Sequence, residues 1–170
     1  MLQSWAKNIW NNGIPPSKST MIWRTLHNKL PTDDNLSLRG CYIPSKCNLC
    51  DKAQETTTHL FLECSFATSI WQWLSSIINL QCTFTSIQAA IQLSQRNWSP
   101  LCKIVILAAF TNIINISWFC RNQLRFNNKN INSRSAINLI IAGTTIIGNS
   151  SKCAANTSIP DFVLLIASNV

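Results

Sequence analysis

Apolar residues recur at helical spacing along most of this 170-residue chain, and proline or glycine interrupts the pattern between segments. We predict helices over residues 4–12, 17–30, 33–39, 65–79, 85–94, 101–126 and 133–152. Strand signals are absent before residues 154–170, a tail that we interpret as a short strand or a disordered segment. The predicted fold class is therefore mainly α.

Short polar residues and one glycine predict where several of these helices begin and end. We expect Ser17 or Ser19 to cap the second helix and Ser133 to cap the last one. Thr32 is the expected N-cap of the short third helix, and Gly40 is expected to close it in a left-handed conformation.

The composition is apolar, with 46% hydrophobic and only 12% charged residues. The longest apolar stretch, residues 101–119, contains Lys103, Asn112 and Asn115, whereas a membrane-spanning helix needs about 20 predominantly apolar residues. We therefore expect a buried helix there and no membrane span. Large aromatic side chains at helical spacing are also expected in the core, namely Trp5, Trp10, Trp23 and Trp71.

The clearest candidate chemistry is the motif Cys47-x2-Cys50-x8-His59-x4-Cys64. Three thiols and one imidazole are the number and type of ligands that structural Zn²⁺ takes, and a close Cys pair commonly supplies the first two. Residues five apart in an α-helix lie roughly 140° apart, so His59 and Cys64 converge only near a helix end or a turn. The alternative is that the thiols are simply buried and His59 lies on the surface.

The eight cysteines do not indicate a disulfide framework. The first residues lack the apolar region of a signal peptide, so we expect an intracellular protein, nuclear or cytoplasmic, with reduced thiols. The four cysteines outside the motif and after it lie among apolar residues, as inert core thiols do, and they are Cys82, Cys102, Cys120 and Cys153.

The formal net charge is +8, with 14 basic and six acidic residues. A basic surface beside a zinc module favours a polyanionic partner, most simply nucleic acid. The candidate phosphate-binding residues are Lys18, Arg24, Arg39, Lys46 and Lys52. The alternative is that the positive charge only keeps an apolar chain in solution.

Catalytic motifs are missing from the sequence. It contains no glycine-rich phosphate loop, no Gly-x-Ser-x-Gly elbow and no His-Glu-x-x-His helix. Six acidic residues do not assemble a two-metal site, and four protein ligands leave a zinc ion no open position for substrate. We therefore expect no enzymatic activity and no small-molecule substrate.

Several further motifs occur in order with the zinc motif. They are Trp5-x-Lys7-x-Ile9-Trp10, Ile14-Pro15-Pro16-Ser17-Lys18-Ser19, Trp23-Arg24-x-x-His27-Asn28-Lys29-Leu30-Pro31-Thr32-Asp33, Arg39-Gly40, Glu55-Thr56 and Trp71. Residues 1–75 thereby resemble the zinc-binding domain on the C-terminal side of reverse transcriptases in plant non-LTR (LINE-type) retroelements. Trp118-x-x-Arg121-Asn122-x-x-x-Phe126 resembles a signature in the stretch that follows that domain.

The resemblance implies that Cys47, Cys50, His59 and Cys64 bind one structural Zn²⁺. It also implies a fragment of a retroelement protein that lacks the polymerase and ends before the ribonuclease H domain. We expect a zinc-binding domain at residues 1–80, a helical linker-like region at 81–153 and a tail at 154–170.

Two functions follow from these observations. The first is a non-catalytic zinc module that binds RNA or an RNA–DNA hybrid without sequence preference. The second is a zinc-stapled platform that contacts other retroelement protein domains and has no nucleic-acid role, which the apolar composition favours.

Overall fold

The fold was obtained as a computed structural model, which describes residues 6–10, 13–43 and 45–150. The described chain contains seven α-helices, one π-helical turn and no strand, so the predicted mainly α class is confirmed. In order these are α1 (Ala6–Ile9), α2 (Pro16–Leu26), α3 (Asp33–Ser37), the π-turn (His59–Glu63), α4 (Ser65–Ile78), α5 (Ile87–Leu93), α6 (Pro100–Asn127) and α7 (Ser133–Ser150). The predictions for Trp5, Cys153 and the tail lie outside the described residues.

The helices of the second half begin and end close to the predicted positions, because their caps are encoded locally. The Ser86 hydroxyl accepts the Ala89 N–H at 3.1 Å and starts α5. Ser99 starts α6 with Pro100 in the first turn, a position where proline needs no hydrogen-bond partner. Asn128 ends α6 in a left-handed conformation.

Three predicted helix ends were wrong. Helix α2 ends at Leu26 and not at residue 30, because Asn28 adopts a positive φ of 50°. Pro15 precedes α2, and the Ser19 hydroxyl instead donates to the Ile9 carbonyl at 2.5 Å, which joins α1 to α2. Helix α7 is capped by Asn132, whose side-chain oxygen accepts the Ser135 N–H at 2.8 Å, and not by Ser133.

The π-turn and every helix except α3 contribute to one hydrophobic core, with α6 at its centre. Helix α6 packs against α2, α5, α7 and the π-turn, and residues 105–114 are buried all round. It is long and apolar enough to cross a membrane, but 61% of its most apolar stretch is buried inside the protein. A helix that is apolar on every side is typical of a protein interior as well as of a membrane. The predicted division of the chain at residue 80 stays a prediction.

The aromatic residues divide between the core and the surface. Trp71 packs against Phe84 and Phe110 with ring centroids 5.1 and 5.6 Å away, and its indole N–H donates to a carbonyl at 2.7 Å. The core prediction was wrong for Trp10 and Trp23, which are 51% and 39% exposed. Helical spacing places side chains on one face, but that face is covered only where another element packs on it.

A buried cluster of four charged residues joins α6 to the N-terminal half. The Arg121 guanidinium donates to both carboxylate oxygens of Glu55, with Nε at 3.1 and 3.0 Å, and Arg121 and Glu55 are 2% and 0% exposed. Arg125 pairs with Asp33, whose carboxylate also lies 3.6 Å from Arg121. The charges balance, so α6 docks against α3 and the segment before the π-turn without an uncompensated buried charge.

A second polar network holds the turn between α2 and α3. Asn28 and Asn35 exchange amide hydrogen bonds at 2.9 and 3.0 Å, and the Thr57 hydroxyl donates to Asn28 at 2.6 Å. This network fixes the loop after α2 against the residues that lead into the π-turn.

Helices α6 and α7 approach closely at Gly143. The Asn112 side chain on α6 accepts from the Lys18 ammonium at 2.5 Å and donates to the Thr144 hydroxyl at 3.2 Å. A Cβ added at Gly143 would lie only 2.8 Å from the Asn112 Oδ1 atom. Glycine at this position therefore makes room for a buried, fully engaged amide.

We expect Gly143→Ala and Gly148→Ala to change stability in opposite directions. Alanine at 148 makes ordinary contact with Val105 at 3.6 Å and gains up to about 1 kcal/mol of helix propensity. Alanine at 143 gains the same propensity but overpacks Asn112, which typically costs about 1–3 kcal/mol. Urea unfolding followed by circular dichroism measures both variants. A Gly143→Ala protein as stable as Gly148→Ala would contradict the close approach.

We expect Arg121→Met to lower the free energy of unfolding by about 3–5 kcal/mol, because it leaves the buried Glu55 carboxylate without its main partner. Arg134→Met, which removes an exposed arginine from α7, serves as the control and should change little. Both are measured by urea unfolding in the presence of zinc. Equal stability of the two variants would show that the charge cluster does not hold α6.

Candidate metal centre

The four predicted zinc ligands lie together. The Sγ atoms of the three cysteines and a ring nitrogen of the histidine are all within 4.8 Å of one another, in the set Cys47, Cys50, His59 and Cys64. The Cys47 and Cys64 sulfurs are 3.8 Å apart, and the Cys50 sulfur is 3.3 Å from Nε2 of His59. Zn–S distances of about 2.3 Å in a tetrahedron place two sulfurs about 3.8 Å apart. The donor set therefore fits one Zn²⁺.

A tight turn presents the first two sulfurs. The Cys47 N–H donates to the Ala53 carbonyl at 2.8 Å, and the Asp51 N–H donates to the Cys47 carbonyl at 2.8 Å. Asp51 has a φ of 56°, which reverses the chain directly after Cys50. Asn48 and Leu49 lie within this turn.

The π-turn presents the second pair of ligands. The Cys64 N–H donates to the His59 carbonyl at 2.7 Å, which is the i→i+5 hydrogen bond of a π-helix. An α-helix would place residues five apart roughly 140° apart, whereas this wider turn brings them onto one side. The expected turn at the metal site is therefore a π-turn, a feature that the spacing alone did not specify.

The centre is buried on most sides. Cys47 and Cys64 are 0% exposed, His59 is 8% exposed, and Cys50 is half-buried. The alternative of a surface histidine is therefore wrong. The Glu63 carboxylate lies 4.0 Å from Nδ1 of His59, on the side away from Cys50, and is largely exposed. Four protein donors in this arrangement form a closed site of the structural kind.

The pKa values of the two buried thiols are shifted in opposite directions. The hydrogen bond to Cys64, together with burial, raises the pKa of Cys47. That same hydrogen bond lowers the pKa of Cys64. Zinc ligands must be deprotonated, so metal binding releases the proton of Cys47 and strengthens as pH rises.

Two cysteines outside the centre, Cys82 and Cys120, are buried in the described part of the chain. Burial raises the pKa of the Cys120 thiol to about 11 and also raises that of Cys82. Both are inert thiols of the core, as predicted, whereas Cys102 is only half-buried.

The N-terminal part of the chain can be compared with known families. Residues 2–71 match the family model for zinc-binding in reverse transcriptase. The matched residues include all four donors of the centre. The family model describes a zinc-binding domain and not a catalytic domain. No curated protein and no solved structure is significantly similar to the chain.

The predicted phosphate-binding residues differ in their surroundings. Arg24, Arg39, Lys46 and Lys52 are exposed, and Lys46 forms an ion pair with Asp51 at 2.8 Å. Lys18 differs from these four, because it is half-buried and its ammonium donates to Asn112. Burial lowers the pKa of Lys18.

Sequence reasoning missed the role of the buried charge cluster. In the sequence, Glu55 and Arg121 stand out only as members of ordered motifs. The available signal was the placement of Arg121 in a strongly apolar helix, in a chain with only six acidic residues to neutralise it.

We expect purified protein to contain one Zn²⁺ per chain, and Cys50→Ser to lose most of it, because the centre needs all four donors to close. Cys41→Ser, which changes an exposed cysteine outside the centre, is the control and should keep the zinc of the parent. Metal analysis by plasma mass spectrometry gives the content of each protein. Unchanged zinc in Cys50→Ser would contradict the assignment.

Proposed function

We propose that the chain is a non-catalytic zinc-binding module of retroelement origin, of the plant non-LTR type, that binds RNA or an RNA–DNA hybrid without sequence preference. The observation that carries the proposal is the exposure of Lys46 and Lys52, which flank the first two zinc ligands in the sequence of a chain of net charge +8. Three thiolates and one Zn²⁺ together contribute −1, so the net charge stays strongly positive. Electrostatic binding of this kind is sequence-independent.

The pairing of acidic side chains with basic ones supports the absence of catalysis. Asp33 and Glu55 are neutralised by arginines, and Asp51 pairs with Lys46. In residues 6–10, 13–43 and 45–150, the zinc centre is the one group of three or more His, Cys, Asp or Glu side chains close enough to hold a metal ion. A two-metal nuclease or polymerase site needs such a group built from carboxylates.

The retroelement origin is supported by the family match and by the ordered motifs that continue to Phe126. The free thiols of the described residues support a reducing compartment, nucleus or cytoplasm.

A platform for protein contacts is the second candidate. Large apolar side chains are exposed on several elements, including Trp10, Trp23, Leu38, Tyr42 and Ile146. Exposed apolar surface of this kind is typical of a domain that contacts other domains. The first function requires salt-dependent binding to nucleic acid, whereas the platform requires no binding to nucleic acid.

We expect the parent protein to bind a random single-stranded RNA with micromolar or weaker affinity at physiological salt, and more tightly at low salt. Replacing Arg39, Lys46 and Lys52 together by Ala should weaken binding and reduce the salt slope by roughly one unit per lost phosphate contact. Fluorescence anisotropy over a salt series measures both quantities.

The matched control replaces three exposed basic residues outside the predicted set, Lys103, Lys129 and Arg134, by Ala. It removes the same charge, so an equal loss in both triple variants would show that net charge alone drives binding. Absence of binding by the parent at low salt would favour the protein-contact platform.

A further inference from the structure

A cavity of about 470 Å³ lies between α2, the loop after α3 and the last turns of α6. Residues from all three elements line it, among them Arg24, Leu30, Ile43, Trp118, Asn122 and Phe126. Its size is within the range of small-ligand sites, roughly 300–1,000 Å³. The zinc centre does not contribute to it, and the predicted phosphate-binding residue Arg24 lies at its edge.

Aromatic and guanidinium groups form one side of this cavity. Phe126 is 70% exposed, and the guanidinium carbons of Arg121 and Arg125 are each 5.9 Å from its ring centroid. The Arg121 guanidinium also lies 4.8 Å from the centroid of Trp118. Unpaired RNA bases stack on aromatic rings and guanidinium planes of this kind.

The polar groups of the cavity suit a nucleotide. The lining contains three arginines and no acidic side chain. Arg121 and Arg125 are neutralised by Glu55 and Asp33, whereas Arg24 has no acidic partner in the described part of the chain. A phosphate at Arg24 would therefore meet a charge that no protein carboxylate competes for.

Asn122 provides a hydrogen-bonding group beside the aromatic side. Its side-chain oxygen accepts from Nη1 of Arg121 at 2.9 Å, which fixes the amide. Its amide nitrogen donates to no other side chain among the described residues. An asparagine amide held in this way can bond to the edge of a base.

We propose that this cavity is a subsite for one unpaired base of single-stranded RNA, which stacks on Phe126 with its edge at Asn122 and its phosphate at Arg24. The proposal rests on the proposed nucleic-acid function and adds a stacking contact to it. An apolar protein segment would also fit the aliphatic part of the lining, but it would leave the Arg24 charge without a counterpart.

The test compares a short oligouridine with an abasic ribose-phosphate oligomer of equal length, using the full chain loaded with zinc. The abasic oligomer keeps the phosphates and removes the bases, so the difference in affinity isolates stacking. Phe126→Ala should lower affinity for oligouridine by about 5- to 150-fold, the loss that stacking of one base typically represents. Its affinity for the abasic oligomer should not change.

Phe119→Ala is the matched control, because Phe119 lies on the same helix, is 42% exposed and does not line the cavity. It should bind both oligomers like the parent. The proposal is overturned if Phe126→Ala binds oligouridine as the parent does, if it loses affinity for both oligomers equally, or if Phe119→Ala loses as much.

Two results for the parent separate the subsite from the proposed function. Equal, salt-dependent binding of both oligomers would overturn the subsite and leave electrostatic binding of nucleic acid intact. No binding of either oligomer at low salt would overturn both and assign the cavity to protein contacts.

Discussion

Two polar anchors hold the segment between α3 and the π-turn, and the position of the metal centre depends on them. Residues 41–43 and 45–56 form no helix, and the side chains buried among them belong to Cys47 and Glu55. One is a donor of the zinc centre and the other is the partner of Arg121. A segment that buries so little apolar surface gains little from the hydrophobic effect, so a metal ion and an ion pair must fix it.

The ion pair also holds α6 against the segment that carries the first zinc ligands. Arg121 bonds to Glu55 across 66 residues of sequence, and Arg125 bonds to Asp33 at the start of α3. A buried ion pair adds little net stability compared with an apolar contact, but an unpaired buried charge is strongly unfavourable. The cluster therefore selects one register for α6, in which both arginines meet their carboxylates. The same register places Trp118, Asn122 and Phe126 along the cavity beside α2.

Local signals predicted much of this structure. Apolar spacing and the caps at Ser86 and Ser99 are encoded within a few residues, so α4 to α7 were predicted closely. The spacing of Cys47, Cys50, His59 and Cys64 likewise predicted the donor set, because structural Zn²⁺ takes ligands of this number, type and spacing. The π-turn, the Arg121–Glu55 pair and the exposure of Trp10 and Trp23 depend on contacts between distant elements, which no local pattern contains.

One closed centre of three sulfurs and one nitrogen organises the N-terminal half of the chain. X-ray absorption fine structure at the zinc edge tests this claim most directly, because it counts the ligand atoms of each type and measures their distances. We expect three sulfurs at about 2.3 Å and one nitrogen at about 2.0–2.1 Å, with four ligands in total. Fewer than three sulfurs, or additional oxygen ligands from water, would contradict it.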